Sequence, residues 1–355
     1  MKSKRILFIA PHFAEYSERL AAGLAGQLPT RLILNSYNRS DEMQHSLSGK
    51  ASVTAIPMER RWHHAFALFY CIFQAMLFRA DLVIVQEGVR QFLKPMIGLL
   101  RRFTRVALIV HDPKPHSGSD SSRALVDVPY RRWLREHADV LIVHGERCLS
   151  EMVSLGYDPE RILSIRHGVL MTPKRRQPKA AKPGRILMFG RMEAYKGLEV
   201  LLDAASLLSA RGVDFHLVVA GAGPEQGRLA HRIATMPNVE VIPRYLTPEE
   251  LQRELALTSF VVAPYLDATQ SGVLASTFAN GRAAIASNVG GLSDVVKHEI
   301  NGLLVPPGDA TALADAMAAF LQDPNQIHRL GRGAENFADD ELNWDRIAEN
   351  LLSKL

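Results

Sequence analysis

Arg191 and Lys196 stand five positions apart in RILMFGRMEAYKGLEVLLDA, between an apolar run and an amphipathic one. A strand-to-helix turn of this kind brings two cations to the first free amides of a helix, and that combination suits a diphosphate. Further on, Gly221-Ala222-Gly223-Pro224-Glu225 closes another apolar run, and its small residues let backbone come close to a ligand. APYLDATQSGV then leads into Ser271-Gly272-Val273, whose successive N–H groups open a helix and make a second candidate phosphate cradle. SNVGGLSDVV repeats the theme with Gly290-Gly291. Singly each signal is weak, because most Lys and Arg are solvated and glycine turns end many buried strands. Four such turns in succession point to one site for a phosphorylated ligand.

The elements that must position these turns are legible in the hydropathy. In the second half, RILMFG, FHLVVAG, VEVIP, FVVAP, AAIAS and GLLVP alternate with helical patterns over 197–211, 224–235, 247–257, 271–280, 292–298 and 310–321. The first half has the same grammar: RILFIAP, TRLILN, DLVIVQ, VALIVHD and DVLIVHG, with helices from Ser17 to Gln27 and near 62–79, 90–103 and 122–137. Continuous apolar strands are covered on both faces, the mark of parallel doubly wound sheets. The fold class is α/β, with two Rossmann-like sheets expected to face one another across a cleft. Segment 173–185, PKRRQPKAAKPGR, holds three prolines, six basic residues and no large apolar side chain, and reads as the linker. This gives an N-terminal domain over 1–172 and a C-terminal domain over 186–342. A terminal helix over 343–355 carries Trp344, Ile347, Leu351 and Leu352 at helical spacing and is expected to pack back on the N-terminal domain.

Composition bounds the rest. A length of 355 residues with 47% hydrophobic and 22% charged residues describes an ordinary two-domain globular chain. Cys71 and Cys148 form neither a disulfide framework nor a metal-ligand cluster, which fits a cytoplasmic protein. The longest apolar stretch, 65–78, contains Gln74 and falls short of the roughly 20 residues that span a bilayer.

The order G-R-x4-K-G, G-x-G-P-E, S-G-V at a helix start, S-x-V-G-G-x-x-D-V-V and NGLLVPPGD resembles the retaining GT-B glycosyltransferases of family 4, across essentially the whole C-terminal domain. The N-terminal domain is similar through its strand order, the pair His111-Asp112, and LIVHGERCLSEMVSLGYDPERILSIRHGV. The resemblance implies that Arg191 and Lys196 contact the diphosphate of a nucleotide-sugar donor, while Ser271 and the amides near Gly272 and Val273 hold its distal phosphate. Gly190, Gly221, Gly223, Glu225 and Gln270 belong to the loops around nucleotide and sugar. His111 matches a family histidine beside the transferred sugar. The family's E-x7-E element would place its ribose-binding glutamate near Ser276, and its first glutamate is approximated by Asp267, one position out. The first loop, PHFAEYSE, offers His12 and Tyr16 in place of the family's double glycine, with possible acceptor contacts from both. No D-x-D pair closes a strand, so neither a metal nor any other cofactor is expected.

Charge is unevenly spread. Residues 1–172 carry 23 basic and 16 acidic side chains, whereas residues 186–355 carry 13 and 21. MERRWHHAFALFYCIFQAMLFR and RQFLKPMIGLLRRFTR are basic and strongly apolar, the pattern of helices that lie on an anionic bilayer. Core helices capped by surface arginines are the plainer alternative. The same basicity could bind nucleic acid, yet no helix-turn-helix, zinc or stacking-aromatic motif supports it. The combined expectation is a cytoplasmic, metal-independent retaining hexosyltransferase, peripheral on the inner face of the plasma membrane, acting on a glycan or lipid-linked acceptor in polysaccharide or surface-glycan assembly. A sugar-nucleotide epimerase and a non-catalytic nucleotide-sugar binder share the same pattern. A nicotinamide dehydrogenase is disfavoured, since neither domain's first strand leads into GxGxxG.

Overall fold

The computed structural model describes residues 4–38, 51–114, 121–170, 181–268 and 271–355. Among these, residues up to Leu170 together with Asn343–Leu355 form one compact unit, and residues up to Leu342 after the linker form the other. Residues 171–180, most of the expected linker, lie outside the described residues.

The first unit is built on seven strands: β1 (Ile6–Ala10), β2 (Thr30–Asn35), β3 (Ser52–Ile56), β4 (Leu82–Gln86), β5 (Arg105–Val110), β6 (Val140–His144) and β7 (Ile162–Ile165). They form one parallel sheet in the order β3-β2-β1-β4-β5-β6-β7. Alternate residues of each central strand enter opposite layers. Leu7, Ile9, Val83 and Val85 pack with α2 (Arg61–Phe78), α3 (Leu93–Leu100), α4 (Ser121–His137) and α5 (Gly145–Ser154) on one face. Ile6, Phe8, Leu82 and Ile84 pack with α1 (Ala14–Ala25) on the other. Burial on both faces is why these strands read as unbroken apolar runs.

The second unit holds β8 (Arg185–Arg191), β9 (His216–Ala222), β10 (Val239–Ile242), β11 (Phe260–Ala263), β12 (Ala283–Ser287) and β13 (Gly302–Val305). These too are parallel, in the order β10-β9-β8-β11-β12-β13. One face is covered by α6 (Leu198–Ala210) and α12 (Ala310–Gln322), the other by α9 (Pro248–Leu257). The remaining helices are α7 (Pro224–Arg228), α8 (Ala230–Ala234), α10 (Gly272–Ala279), α11 (Leu292–Val295) and α13 (Pro324–Glu341). In each sheet the direction of winding reverses beside the first strand of the unit, and open α/β sheets bind ligands beyond the carboxyl ends of strands at such switch points.

The last helix, α14 (Trp344–Lys354), belongs to the first unit. Trp344, Ile347, Ala348 and Leu351 join the layer beneath α1, and the ring of Trp344 lies flat over Gly168, where a Cβ would sit 2.3 Å from ring carbon Cε2. The indole N–H donates to the Val169 carbonyl at 2.7 Å.

Several boundaries differ from the sequence reading. Helix α1 starts at Ala14 rather than Ser17, behind Phe13 in the left-handed region with φ 55°. Segment 90–103 is helical only over Leu93–Leu100. Segment 224–235 divides at Leu229 into two short helices, and 292–298 stops at Val295 because Val296 turns to extended backbone. Arg185, counted as the last linker residue, opens β8 and is buried, its guanidinium donating to Glu254 Oε2 at 2.6 Å and standing 3.6 Å from Glu240. Paired carboxylates let an arginine sit where the sequence alone suggests a solvated one.

Candidate functional site

Two clusters stand at the carboxyl edges of the two sheets, and each is described within its own unit. In the second unit the ends of β8, β9 and β11 are drawn together by glycine. A Cβ at Gly221 would lie 1.8 Å from the Gly190 carbonyl oxygen, and one at Gly223 would lie 2.3 Å from that of Met192. Only a residue without a side chain permits this approach. Backbone bonds fix the same contact: Met192 N–H donates to Ala222 O at 2.9 Å and Glu225 N–H to Met192 O at 3.1 Å. Gly190 in turn faces the start of α10, where its Cβ would be 3.4 Å from Val273 Cγ2.

Lys196 ends a single 3-10 turn after β8, at the threshold of α6. Gly197, at φ +71°, lets the chain enter that helix against the Pro264 carbonyl, which a Cβ would approach to 1.9 Å. Lys196 is buried, and its ammonium donates to the Tyr265 hydroxyl at 2.7 Å while lying 3.9 Å from the centre of the same ring. Leu266 N–H donates to Tyr195 O at 2.7 Å, tying the Lys196 turn to the segment that follows β11. The lysine is therefore held in place by Tyr265, with two further N–H donors to offer an anion. Arg191 is exposed at the end of β8.

Ser271 caps α10, its hydroxyl accepting from Leu274 N–H at 3.4 Å. Gly272 and Val273 are half-buried in the first turn, and Ser276 is buried within the helix. Asp267 is half-buried beside Ala268, to whose carbonyl Gly291 N–H donates at 3.3 Å. Gln270 lies outside the described residues. Glu225 is buried and takes two bonds from Arg228, at 2.9 and 2.7 Å. The structure thus brings Gly190, Lys196, Gly221, Gly223, Gly272 and Val273 onto one sheet edge. The sequence does not single out Tyr265, since the tyrosine of APY reads as ordinary core.

The first unit presents a different edge. His12 follows β1, His111 comes directly after β5, His144 closes β6 and His167 follows β7. Ring centres lie 4.8 Å apart for Tyr16–His111, 4.9 Å for His111–His144 and 5.4 Å for His144–His167, with Trp344 5.1 Å from Tyr16. Burial holds His12 and His167 down to about pKa 4 and pushes His111 and His144 well below the ordinary histidine value. The neighbouring imidazoles push His111 further in the same direction. Burial also raises Tyr16, whose hydroxyl has no hydrogen-bond partner among the described residues. The cluster is neutral at pH 7.

A relay sets the tautomer of His111. Ser17 Oγ donates to Phe13 O at 2.8 Å and accepts from Gln86 Nε2 at 3.0 Å, which leaves Gln86 Oε1 to accept from His111 Nε2 at 2.8 Å. Nδ1 of His111 is then the acceptor nitrogen, suited to a hydroxyl group. His12 is spent differently: its Nε2 bonds the Glu87 carbonyl, and its ring fills the space where a side chain at Gly88 would stand. Trp344 sits where the terminal helix was expected to pack, whereas Gln86, His144 and His167 are not singled out by the sequence. The available signal was the repeat of His-Gly after an apolar run, at His144-Gly145 and again at His167-Gly168.

Comparison with known proteins places both units. Residues 183–323 match the family model described as glycosyl transferases group 1, and residues 13–168 match the glycosyl transferase 4-like domain. The chain is 26% identical over 347 residues to WcaL of Escherichia coli strain K12, named for colanic acid biosynthesis, covering 92% of this chain and 84% of that one. It is 32% identical over 241 residues to the D-inositol 3-phosphate glycosyltransferase of Pseudarthrobacter chlorophenolicus, covering 62% of this chain and 57% of the relative's length. Its fold superposes on the crystal structure of Anabaena Alr3699/HepE in complex with UDP with a TM-score of 0.74, at 16% identity, over 99% of this chain and 100% of that one.

Proposed function

Because the chain belongs to the group 1 glycosyltransferases, with the GT-B fold, we propose that it transfers a sugar, with retention of configuration, from a nucleoside-diphosphate sugar to a glycan or lipid-linked acceptor in polysaccharide or surface-glycan assembly. The observation that carries this reading is the seating of the buried Lys196 and the start of α10 on one glycine-packed sheet edge. Breaking the bond between the anomeric carbon and the donor phosphate leaves a diphosphate that gains negative charge. Lys196, Arg191 and the amides of Gly272 and Val273 meet that charge where it develops, which is where preorganised donors contribute most. The acceptor oxygen bonds to the anomeric carbon on the face the phosphate leaves, and its proton passes to a leaving phosphate oxygen. No side-chain nucleophile is required.

His111, neutral and with Nδ1 as acceptor, is assigned to a sugar hydroxyl, and Asp267 to the polar rim of the transferred sugar. His12, already bonded to main chain, is assigned to the acceptor side; Tyr16, expected in the first loop, is instead buried within α1 and packs beneath the histidines rather than reaching an acceptor. Ser276, buried in α10, leaves the ribose to other partners. The cations and helix amides supply the charge that a divalent ion supplies elsewhere, so turnover is expected to survive chelation by EDTA.

The test is a thermal-shift screen of nucleoside diphosphates and their sugars, led by UDP because HepE was solved with it. A ligand at 100 times its Kd raises stability by about 2.7 kcal/mol. One diphosphate should raise the melting temperature of the wild type and raise it less in Lys196→Ala. No shift with any of them overturns the donor site, and isomerised nucleotide sugar formed without acceptor would make the enzyme an epimerase.

A further inference from the structure

Helix α2 is turned inside out. Its buried residues are the small Ala67, Cys71 and Ala75, while Trp62 and Phe69 are 69% and 72% exposed and Phe66, Phe73, Met76 and Leu77 are each more than half exposed. At 3.6 residues per turn the exposed set falls within about 100° of arc, directly opposite the buried set. The stripe runs from Trp62 to Leu77 along the 18-residue helix, about 24 Å. Leu99, in the last turn of α3, and Phe103, just after it, are exposed as well. Single exposed apolar residues are ordinary, but a row of six large ones along one helix face marks an interaction face.

The charges around this face select its partner. Helix α2 contains no acidic residue, and exposed Arg60, Arg61 and Arg79 flank its two ends. Exposed Arg101 and Arg102 sit between Leu99 and Phe103 at the end of α3. Among the described residues no helix is long and apolar enough to cross a membrane. A long apolar stripe with cations at its rim is complementary to a surface that is apolar beneath and anionic on top.

We propose that α2 and the end of α3 lie in the plane of an anionic bilayer, the aromatic row among the acyl chains and the five arginines at the headgroups. This goes beyond the transferase reading and does not rest on it, because binding to lipid is measured without donor or acceptor.

The experiment is cosedimentation of the full chain with phosphatidylglycerol-containing vesicles, and with phosphatidylcholine vesicles as the neutral control. Binding to anionic vesicles should be at least about tenfold tighter than to neutral ones and should weaken as salt is raised. Phe69→Ser with Phe73→Ser should abolish it; both side chains are solvent-exposed, so the variant should keep the circular dichroism and melting temperature of the wild type. Arg101→Gln with Arg102→Gln should narrow the preference for anionic lipid. Failure of the wild type to bind anionic vesicles at low salt overturns the proposal. So does a wild-type dimer that the Phe69/Phe73 variant converts to monomer, since the face would then be covered by a second copy.

Discussion

The two sheet edges share a topology and differ in what they are made of. The edge in the second unit is glycine and main chain, with Lys196 pinned by Tyr265 and Arg191 exposed beside it. The edge in the first unit is side chain packed on side chain: four neutral histidines, Tyr16 and Trp344, with His111, His144 and Tyr16 buried and His12 and His167 half-buried at the rim. One is arranged to meet a charge, the other to exclude it. The same parallel scaffold therefore yields opposite electrostatics, because the residues after each strand decide it and the strands do not.

The largest effect expected from this contrast is on stability against pH. Above about pH 6.5 the histidines are neutral in both folded and unfolded chains, and stability is whole. As pH falls from there toward about 4, the unfolded chain takes up protons that His12 and His167 refuse when buried, with His111 and His144 lower still, so stability is lost. Each histidine contributes up to about 1.4 kcal/mol per pH unit. Trp62, Trp133 and Trp344 all belong to the first unit, so tryptophan fluorescence reports that unit alone. Its urea midpoint should drop sharply between pH 7.5 and 5.0, and an unchanged midpoint would break the contrast.

Next in size is Trp344→Ala, which empties the place of a ring lying on Gly168 and strands the Val169 carbonyl. A loss of about 3–5 kcal/mol from the first unit is expected, read by chemical denaturation. If Trp344→Ala and wild type unfold together, α14 is not part of that core.

On the other edge, Lys196→Ala should lower kcat/KM by about a hundredfold, equal to about 2.7 kcal/mol, with little change in melting temperature of the unliganded protein. A rise in KM with kcat unchanged would mean that the lysine serves the ground state as much as the transition state. The smallest effect concerns geometry. Gly197→Ala forces a side chain into the left-handed region and against the Pro264 carbonyl, costing at least about 1–2 kcal/mol, visible as a lower melting temperature. A neutral result would show that the turn can relax.

How much of this the sequence carried depends on burial. Central strands such as β1, β4 and β12 are readable because both faces are covered and all residues but the closing Gln86 and Ser287 are apolar. The edge strands of the first sheet are not: β3, SVTAI, alternates between exposed and covered, and β7 has only Ile162 and Ile165 buried. Helix α13 was overlooked because PNQIHRLGRGAENFADDE is polar along most of its surface. At the sites, glycines and cations announced the second unit's edge, since a turn that needs glycine writes it into the chain. The histidine cluster could not be read the same way, because residues 12, 111, 144 and 167 are neighbours only once the sheet has ordered its strands. The helical spacing of Trp344, Ile347 and Leu351 already sends the last helix to the first unit, but the contact of Trp344 with Tyr16 emerges only from the fold.

The placement of α14 also orders events during synthesis. Trp344, Ile347, Ala348 and Leu351 complete a hydrophobic layer whose other members lie between Ile6 and Ile165. On the ribosome, the half of the protein made first must wait with that layer uncovered while the entire second unit is translated and folds. The unit that begins earliest is the one finished last, and its open layer is where a chaperone would be needed.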